Sequence, residues 1–109
     1  MREMSEKLNY VSQMSAFSQK GLGMLKPAAI ALYISIFRLA NESSHADGVN
    51  QSVRADNERL MTLSGIGNKR TLMTQRKSLV DAGFIKYEKG GRGIEGRRQP
   101  GTYTIVKLY

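Results

Sequence analysis

The sequence predicts a mainly helical α+β domain: two short helices meeting at a tight turn, two further helices N-terminal to them, and a two-stranded hairpin after them. Three observations predict it. Between Asn57 and Phe84 the apolar residues fall at helical spacing on both sides of Gly65-Ile66-Gly67. From Phe84 onward the period switches to alternation, in Phe84–Lys89 and again in Thr102–Leu108. Between those runs lie twelve residues, GGRGIEGRRQPG, with five glycines and three arginines. A glycine-interrupted helix pair followed at once by a hairpin with a basic tip is the pattern of a winged helix-turn-helix. At 109 residues the chain can bury one modest core, so it is expected to form a single domain over 1–109.

Taken in order, residues 1–7 are charged and expected to fray. Leu8, Val11, Met14 (or Ser15) and Phe17 recur at three-residue steps, which predicts an amphipathic helix broken at Gly21 and Gly23. Its stripe needs a surface to lie on, either the domain's own core or the same helix in a second copy of the chain. Proline at a first helical position costs no hydrogen bond, so Lys26-Pro27 opens the next helix. Residues 28–40 hold eleven apolar side chains, with Ser35 and Arg38 the exceptions, and this helix is expected to be the central post. Ile30, Leu32, Tyr33, Ile34, Ile36 and Phe37 should divide between the core and a partner surface. A base-stacking role for Tyr33 and Phe37 is conceivable, but packing suits so apolar a run better.

Asn41–Asn50 reads as a polar loop containing the lone His45, most simply a solvated residue. Gln51–Arg54 reads as a short strand, and Asp56 or Asn57 can cap the helix that follows. Gly65 is placed to end that helix in the left-handed conformation, and Ile66 to plug the corner. The second helix of the pair is expected over 68–82, closing at Ala82-Gly83. Leu72, Arg76, Leu79 and Val80 carry its period, and Leu72, Leu79 and Val80 should face the first helix. The outward face then holds Asn68, Lys69, Arg70, Met73, Thr74, Lys77 and Ser78, with no acid before Asp81. Such a face suits a DNA major groove, where first-turn side chains reach base edges and N-terminal amides meet phosphate. Asn68, Lys69, Arg70 and Thr74 are expected nearest the bases, and Thr71, Lys77 and Ser78 along the phosphates. In the wing loop, residues 90–101, the tip cannot pack a core, which leaves Arg92, Arg97 and Arg98 available to phosphates or a minor groove.

The charge distribution agrees. The net charge is +8, and Ser64–Tyr109 supplies ten bases against three acids, whereas residues 1–63 supply seven against six. Other chemistries find little footing. There is no cysteine and one histidine, so neither thiolate metal ligation nor imidazole catalysis is supported. The acids Glu42, Asp47, Asp56, Glu58 and Asp81 form no pair suited to general acid–base work. Gly91–Gly96 lacks the lysine-serine/threonine pair and the following helix of a phosphate-binding glycine loop. No catalytic residue, cofactor or metal is therefore expected. The longest apolar run, Ala28–Leu39, is too short to span a bilayer, and MREMSEKLN lacks a signal peptide's hydrophobic centre, so a cytoplasmic protein is expected.

Several runs together carry a resemblance to a known family. These are Leu8-Asn9-Tyr10 through Met14-Ser15-Ala16-Phe17, Pro27 through Tyr33, Asn57 through Leu60, Leu63 through Ile66, Thr71-Leu72, Ala82 through Tyr87 and Gly101-Thr102-Tyr103. The sequence resembles, over nearly its whole length, the winged-helix N-terminal domain of phage replisome organisers and of the primosomal DnaD family of Gram-positive bacteria. The near-N-terminal helix and the "ALY" helix are its most specific parts.

That resemblance implies a part in replication initiation: binding origin DNA, recruiting primosome or helicase-loader proteins, and self-association. It also implies that a C-terminal domain or tail follows, so a chain stopping at Tyr109 reads as an excised domain or a short relative. The residues alone leave two alternatives open, a winged-helix transcriptional regulator and a protein–protein oligomerisation module that does not touch DNA.

Overall fold

The computed structural model describes residues 7–42, 48–91 and 99–109. In chain order the elements are β1 (Lys7–Leu8), α1 (Tyr10–Gly21), α2 (Pro27–Glu42), β2 (Val49–Asn50), β3 (Ser52–Ala55), α3 (Asn57–Ser64), α4 (Lys69–Asp81), β4 (Ile85–Glu88) and β5 (Gly101–Ile105). The helices α2, α3 and α4 pack on one another, and an antiparallel sheet of order β3-β5-β4 closes the domain behind them. Ile85 lies opposite Ile105 and Tyr87 opposite Tyr103, so the hairpin's inward residues share one face. This is a winged helix-turn-helix, as its patterning predicts.

Each helix starts where its cap allows. Asn9, Asp56 and Asn68 are extended, and their side-chain oxygens accept from the backbone N–H of Ser12, Arg59 and Thr71, closing α1, α3 and α4 at their N-termini. For α2 the Lys26 carbonyl takes the first helical bond, from Ile30 N at 3.1 Å, and Pro27 has no N–H to leave unpaired. Gly65 ends α3 at φ 79°, its N–H bonded to the Met61 carbonyl. Gly83 ends α4 at φ 86°, and Phe84 N then reaches back to the Leu79 carbonyl at 3.0 Å.

One core runs from Leu8 to Ile105. Its centre is aromatic: Phe17 stacks on Tyr33 with centroids 3.8 Å apart, and Phe84 meets both rings edge-on. Phe84 begins the wing, so this contact ties the hairpin to α1 and α2. Tyr33 and Phe37 are buried, as expected of packing residues. Leu32 and Ile36 join them, Ile30 is half-buried, and Ile34 faces outward at 46% exposure.

Four expectations need correction. Residue 7 was expected to fray with its predecessors, but Lys7 pairs with Asn50 and Leu8 with Val49, so part of the polar loop is a strand. Residues 1–6, and His45, lie outside the described residues. In α1 the buried line is Gln13, Ala16 and Phe17, while Leu8 precedes the helix and Val11 is 74% exposed. Three-residue steps drift about 60° each around a helix of 3.6 residues per turn, which carries Val11 off the face that Phe17 sets. In α4 the buried line is Leu72, Gln75 and Leu79, and Val80 is exposed, since it stands about 100° from Leu79. Finally, the last strand ends at Ile105, with one more backbone bond beyond it, from Val106 N to the Phe84 carbonyl at 3.1 Å. Past that point Gln13 takes over, its Nε2 donating to the Val106 carbonyl at 2.8 Å and its Oε1 accepting from Leu108 N at 3.1 Å. That side-chain amide stands in for a neighbouring strand's peptide group.

Candidate nucleic-acid interface

The cap at Asn68 sets where α4 starts and therefore which side chains leave its first turn. Lys69, Arg70, Met73 and Thr74 are exposed opposite the buried Leu72–Leu79 line, as expected. Asn68 is exposed too, but its Oδ1 is engaged by Thr71 N at 2.8 Å. The cap takes one of that oxygen's two lone pairs, so a two-point contact to adenine would have to use the other while Asn68 caps the helix. Thr71 is half-buried. Lys77 lies 3.0 Å from Asp81 one turn on, and Ser78 Oγ donates to the Thr74 carbonyl at 3.2 Å. The Lys77 pair is solvent-exposed and therefore weak, so it leaves the lysine able to turn to another anion. Arg92, Arg97 and Arg98 fall outside the described residues.

The expected face of α4 meets the base of the wing across a cleft of about 540 Å³. From α4 come Lys69, Met73 and Arg76, residues i, i+4 and i+7 on one side of the helix. Opposite them are Tyr87, Lys89, Gly90, Gln99 and Gly101 from the hairpin, and Asp56 and Asn57 close one end. Lys69 thus belongs both to the exposed face of α4 and to the cleft, whereas Arg70 lies outside its lining.

The sequence gives Arg76 only a place in the helical period of α4, and the structure adds a set of partners. Arg76 is half-buried, and its Nη1 donates to Asn57 Oδ1 at 3.1 Å and to the Tyr103 hydroxyl at 3.0 Å. Its guanidinium carbon stands 4.1 Å from the centroid of Tyr87. One side chain therefore joins α3, α4, β4 and β5. Burial pushes the Tyr103 hydroxyl above its ordinary pKa, and the guanidinium beside it partly offsets the rise. Gly101 keeps Tyr87 in place, because a Cβ there would stand 2.5 Å from the ring. Arg76, Tyr87, Lys89 and Gln99 were absent from the site expected from sequence. An arginine set between Leu72 and Leu79 was the available signal, since a cation on an inward line requires partners.

Helix pair, turn, sheet order and wing define a winged helix-turn-helix domain. A family model described as "Helix-turn-helix domain" matches residues 22–85, more than half of the chain, and the chain belongs to that family. The match covers α2, α3 and α4 and stops as the wing begins. A search of the curated proteins finds no match. Among solved structures, one described as "Structure of Rep-DNA complex" superposes with a TM-score of 0.55 at 18% identity, covering 99% of this chain and 78% of the other. At that identity the likeness is one of fold.

Proposed function

We propose that this chain is a duplex-DNA-binding domain of a replication-initiation protein, of the replisome-organiser or DnaD-like kind, acting in the cytoplasm without catalysis, cofactor or metal. The observation that carries the proposal is the cationic surface running from Lys69 and Arg70 on α4 across the cleft to Lys89 on the wing. In this reading α4 lies in the major groove, with Lys69, Arg70 and Thr74 toward the bases, and the wing arginines Arg92, Arg97 and Arg98 grip the backbone. The replication assignment draws on the sequence resemblance and on a fold neighbour whose own description is a Rep-DNA complex. An operator-binding regulator would use the same helix face, so target sites separate the two. Fragments of the source genome recovered on the protein should map to repeats within a replication origin, and recovery of promoter-proximal operators would favour the regulator. Fluorescence anisotropy with a duplex at two salt concentrations tests binding itself. Affinity that is absent at low salt would defeat the proposal.

A second reading is favoured by a specific observation. Tyr10, Val11, Leu22, Met24 and Ile34, all on α1, α2 or the turn between them, are large apolar side chains left exposed. We infer that the domain also self-associates through α1 and the turn after it, as a homodimer or larger oligomer, or docks primosome or helicase-loader proteins there. Sedimentation of the parent and of a Val11→Glu, Met24→Glu variant checks it.

A further inference from the structure

No carboxylate among the described residues lies within salt-bridge distance of the Arg76 guanidinium. The acceptors of its Nη1 are an amide oxygen and a hydroxyl, its stacking partner is a neutral ring, and its Nε and Nη2 hydrogens meet no acceptor among the described residues. The ion pairs of the described residues, Arg38 and Arg59 with Glu42 and Lys77 with Asp81, do not include it. Lys69 and Lys89 stand on the same cleft without a carboxylate within salt-bridge distance. Asp56, the acid on the lining, caps α3 through Oδ1, which accepts from Arg59 N at 2.8 Å, so the cleft carries three cations, Lys69, Arg76 and Lys89, against one carboxylate. A half-buried guanidinium held rigidly by neutral partners, with a lysine on either side, is arranged to receive an oxyanion. Its unpaired N–H groups form a fork that matches phosphate oxygens, and withdrawal from water strengthens each charge-assisted bond.

We propose that the cleft between α4 and the wing is a phosphodiester subsite. Arg76 binds one backbone phosphate at its base, and Lys69 and Lys89 hold the same phosphate or its neighbour from the two walls. This inference rests on the DNA-binding reading and adds to it a particular contact, which ties the recognition helix and the wing to one stretch of backbone. Asn57, Tyr87 and Tyr103 act as positioning residues, because they aim the guanidinium without touching the ligand.

The test compares Arg76→Gln, Lys89→Gln and Arg38→Gln with the parent, each titrated with a random-sequence duplex by anisotropy between 50 and 200 mM NaCl. Glutamine at 76 retains a donor for Asn57 or Tyr103 while removing the charge, and thermal melts report whether each variant folds. A lost phosphate contact lowers the slope of log affinity against log salt by about 0.9, so the parent's advantage should narrow by about 3.5-fold across that range. Arg76→Gln and Lys89→Gln should each show this, and Arg38→Gln, remote on α2, should keep the parental slope. Should Arg76→Gln misfold, Lys89→Gln alone decides, being exposed and free of packing duties. Unchanged slopes in the cleft variants of a parent that binds DNA would overturn the subsite and leave the DNA-binding proposal standing. A parent with no affinity for the duplex would overturn both. A third arm titrates the bound complex with sodium pyrophosphate at constant ionic strength. Displacement of DNA from the parent but not from Arg76→Gln supports the subsite and shows that it also accepts a free phosphate anion; equal displacement from both counts against it.

Discussion

Gln13 Nε2 donates a 2.9 Å hydrogen bond to the Tyr33 hydroxyl, with neither residue exposed to solvent. The same amide also holds Val106 and Leu108, so one polar side chain inside the core ties the first helix, the central helix and the segment after β5. Gln13→Leu should therefore destabilise the domain by about 2 to 4 kcal/mol, because it leaves a buried hydroxyl, a carbonyl and an N–H without partners. Tyr33→Phe should cost about 1 kcal/mol. Urea denaturation of both, and of the double variant, checks the coupling: the double should cost less than the two singles together.

Alkaline pH should weaken the same region. Burial pushes the Tyr33 pKa up to about 12, with the bond from Gln13 pulling the other way. Between pH 10 and about 12 the unfolded chain loses this proton while the folded chain keeps it. The contribution is therefore fully present below pH 10 and falls as pH rises through that window, by up to about 1.4 kcal/mol per unit. Other groups titrate there as well, so the measurement is the difference in melting temperature between the parent and Tyr33→Phe from pH 9 to 12, which should shrink or reverse.

Substitutions at Asn68 separate capping from DNA contact. Asn68→Ala removes the acceptor for Thr71 N and should cost about 1 kcal/mol of stability. Asn68→Asp keeps the cap and suits the helix dipole, so its stability should match or exceed the parent's. It also places a negative charge at the proposed groove face, and duplex affinity should drop severalfold at low salt. Equal affinity for Asn68→Asp and the parent would argue that the start of α4 does not approach DNA.

Arg70→Ala should alter which sequence is preferred. A lost two-point contact to guanine relaxes discrimination at one base pair by roughly 1 to 3 kcal/mol, with little change in stability, since the side chain is exposed. Selection from a randomised duplex pool, run in parallel with the parent, reads this directly. Arg97→Ala with Arg98→Ala should instead weaken binding to every duplex and flatten the salt dependence.

Gly101→Ala should cost about 1 to 3 kcal/mol, because the new methyl would drive Tyr87 from its place against the guanidinium. Adding Tyr87→Ala should recover part of that loss. Thermal melts of the single and double variants check it.

The legible parts of the fold were those with a local physical cause. Gly65 and Gly83 announce positive φ, Pro27 a helix start, Asp56 a cap, and the change of period at Phe84 the wing, and each stands where expected. What stayed hidden depends on contacts distant in sequence. The pairing of Lys7 with Asn50 spans most of the first half of the chain, and two-residue strands leave no periodic signal. Gln13 reads as surface until its partners at Tyr33, Val106 and Leu108 are known. In the candidate site, the exposed face of α4 followed from where Leu72 and Leu79 point. The cleft did not, because Arg76 gains its position from Asn57, Tyr87 and Tyr103 on three other elements.

The stacking of Arg76 on Tyr87 also gives the domain a native optical probe. The chain has no tryptophan to mask tyrosine emission. Of the five tyrosines Tyr87 is the one on the cleft wall, with Arg76 against its face; Tyr103 accepts a hydrogen bond from the same guanidinium, and Tyr10, Tyr33 and Tyr109 stand outside the lining. An occupant drawing on that cation changes the electric field felt by the phenol ring, so filling of the cleft should register as a change in ultraviolet fluorescence, with no label attached to protein or nucleic acid.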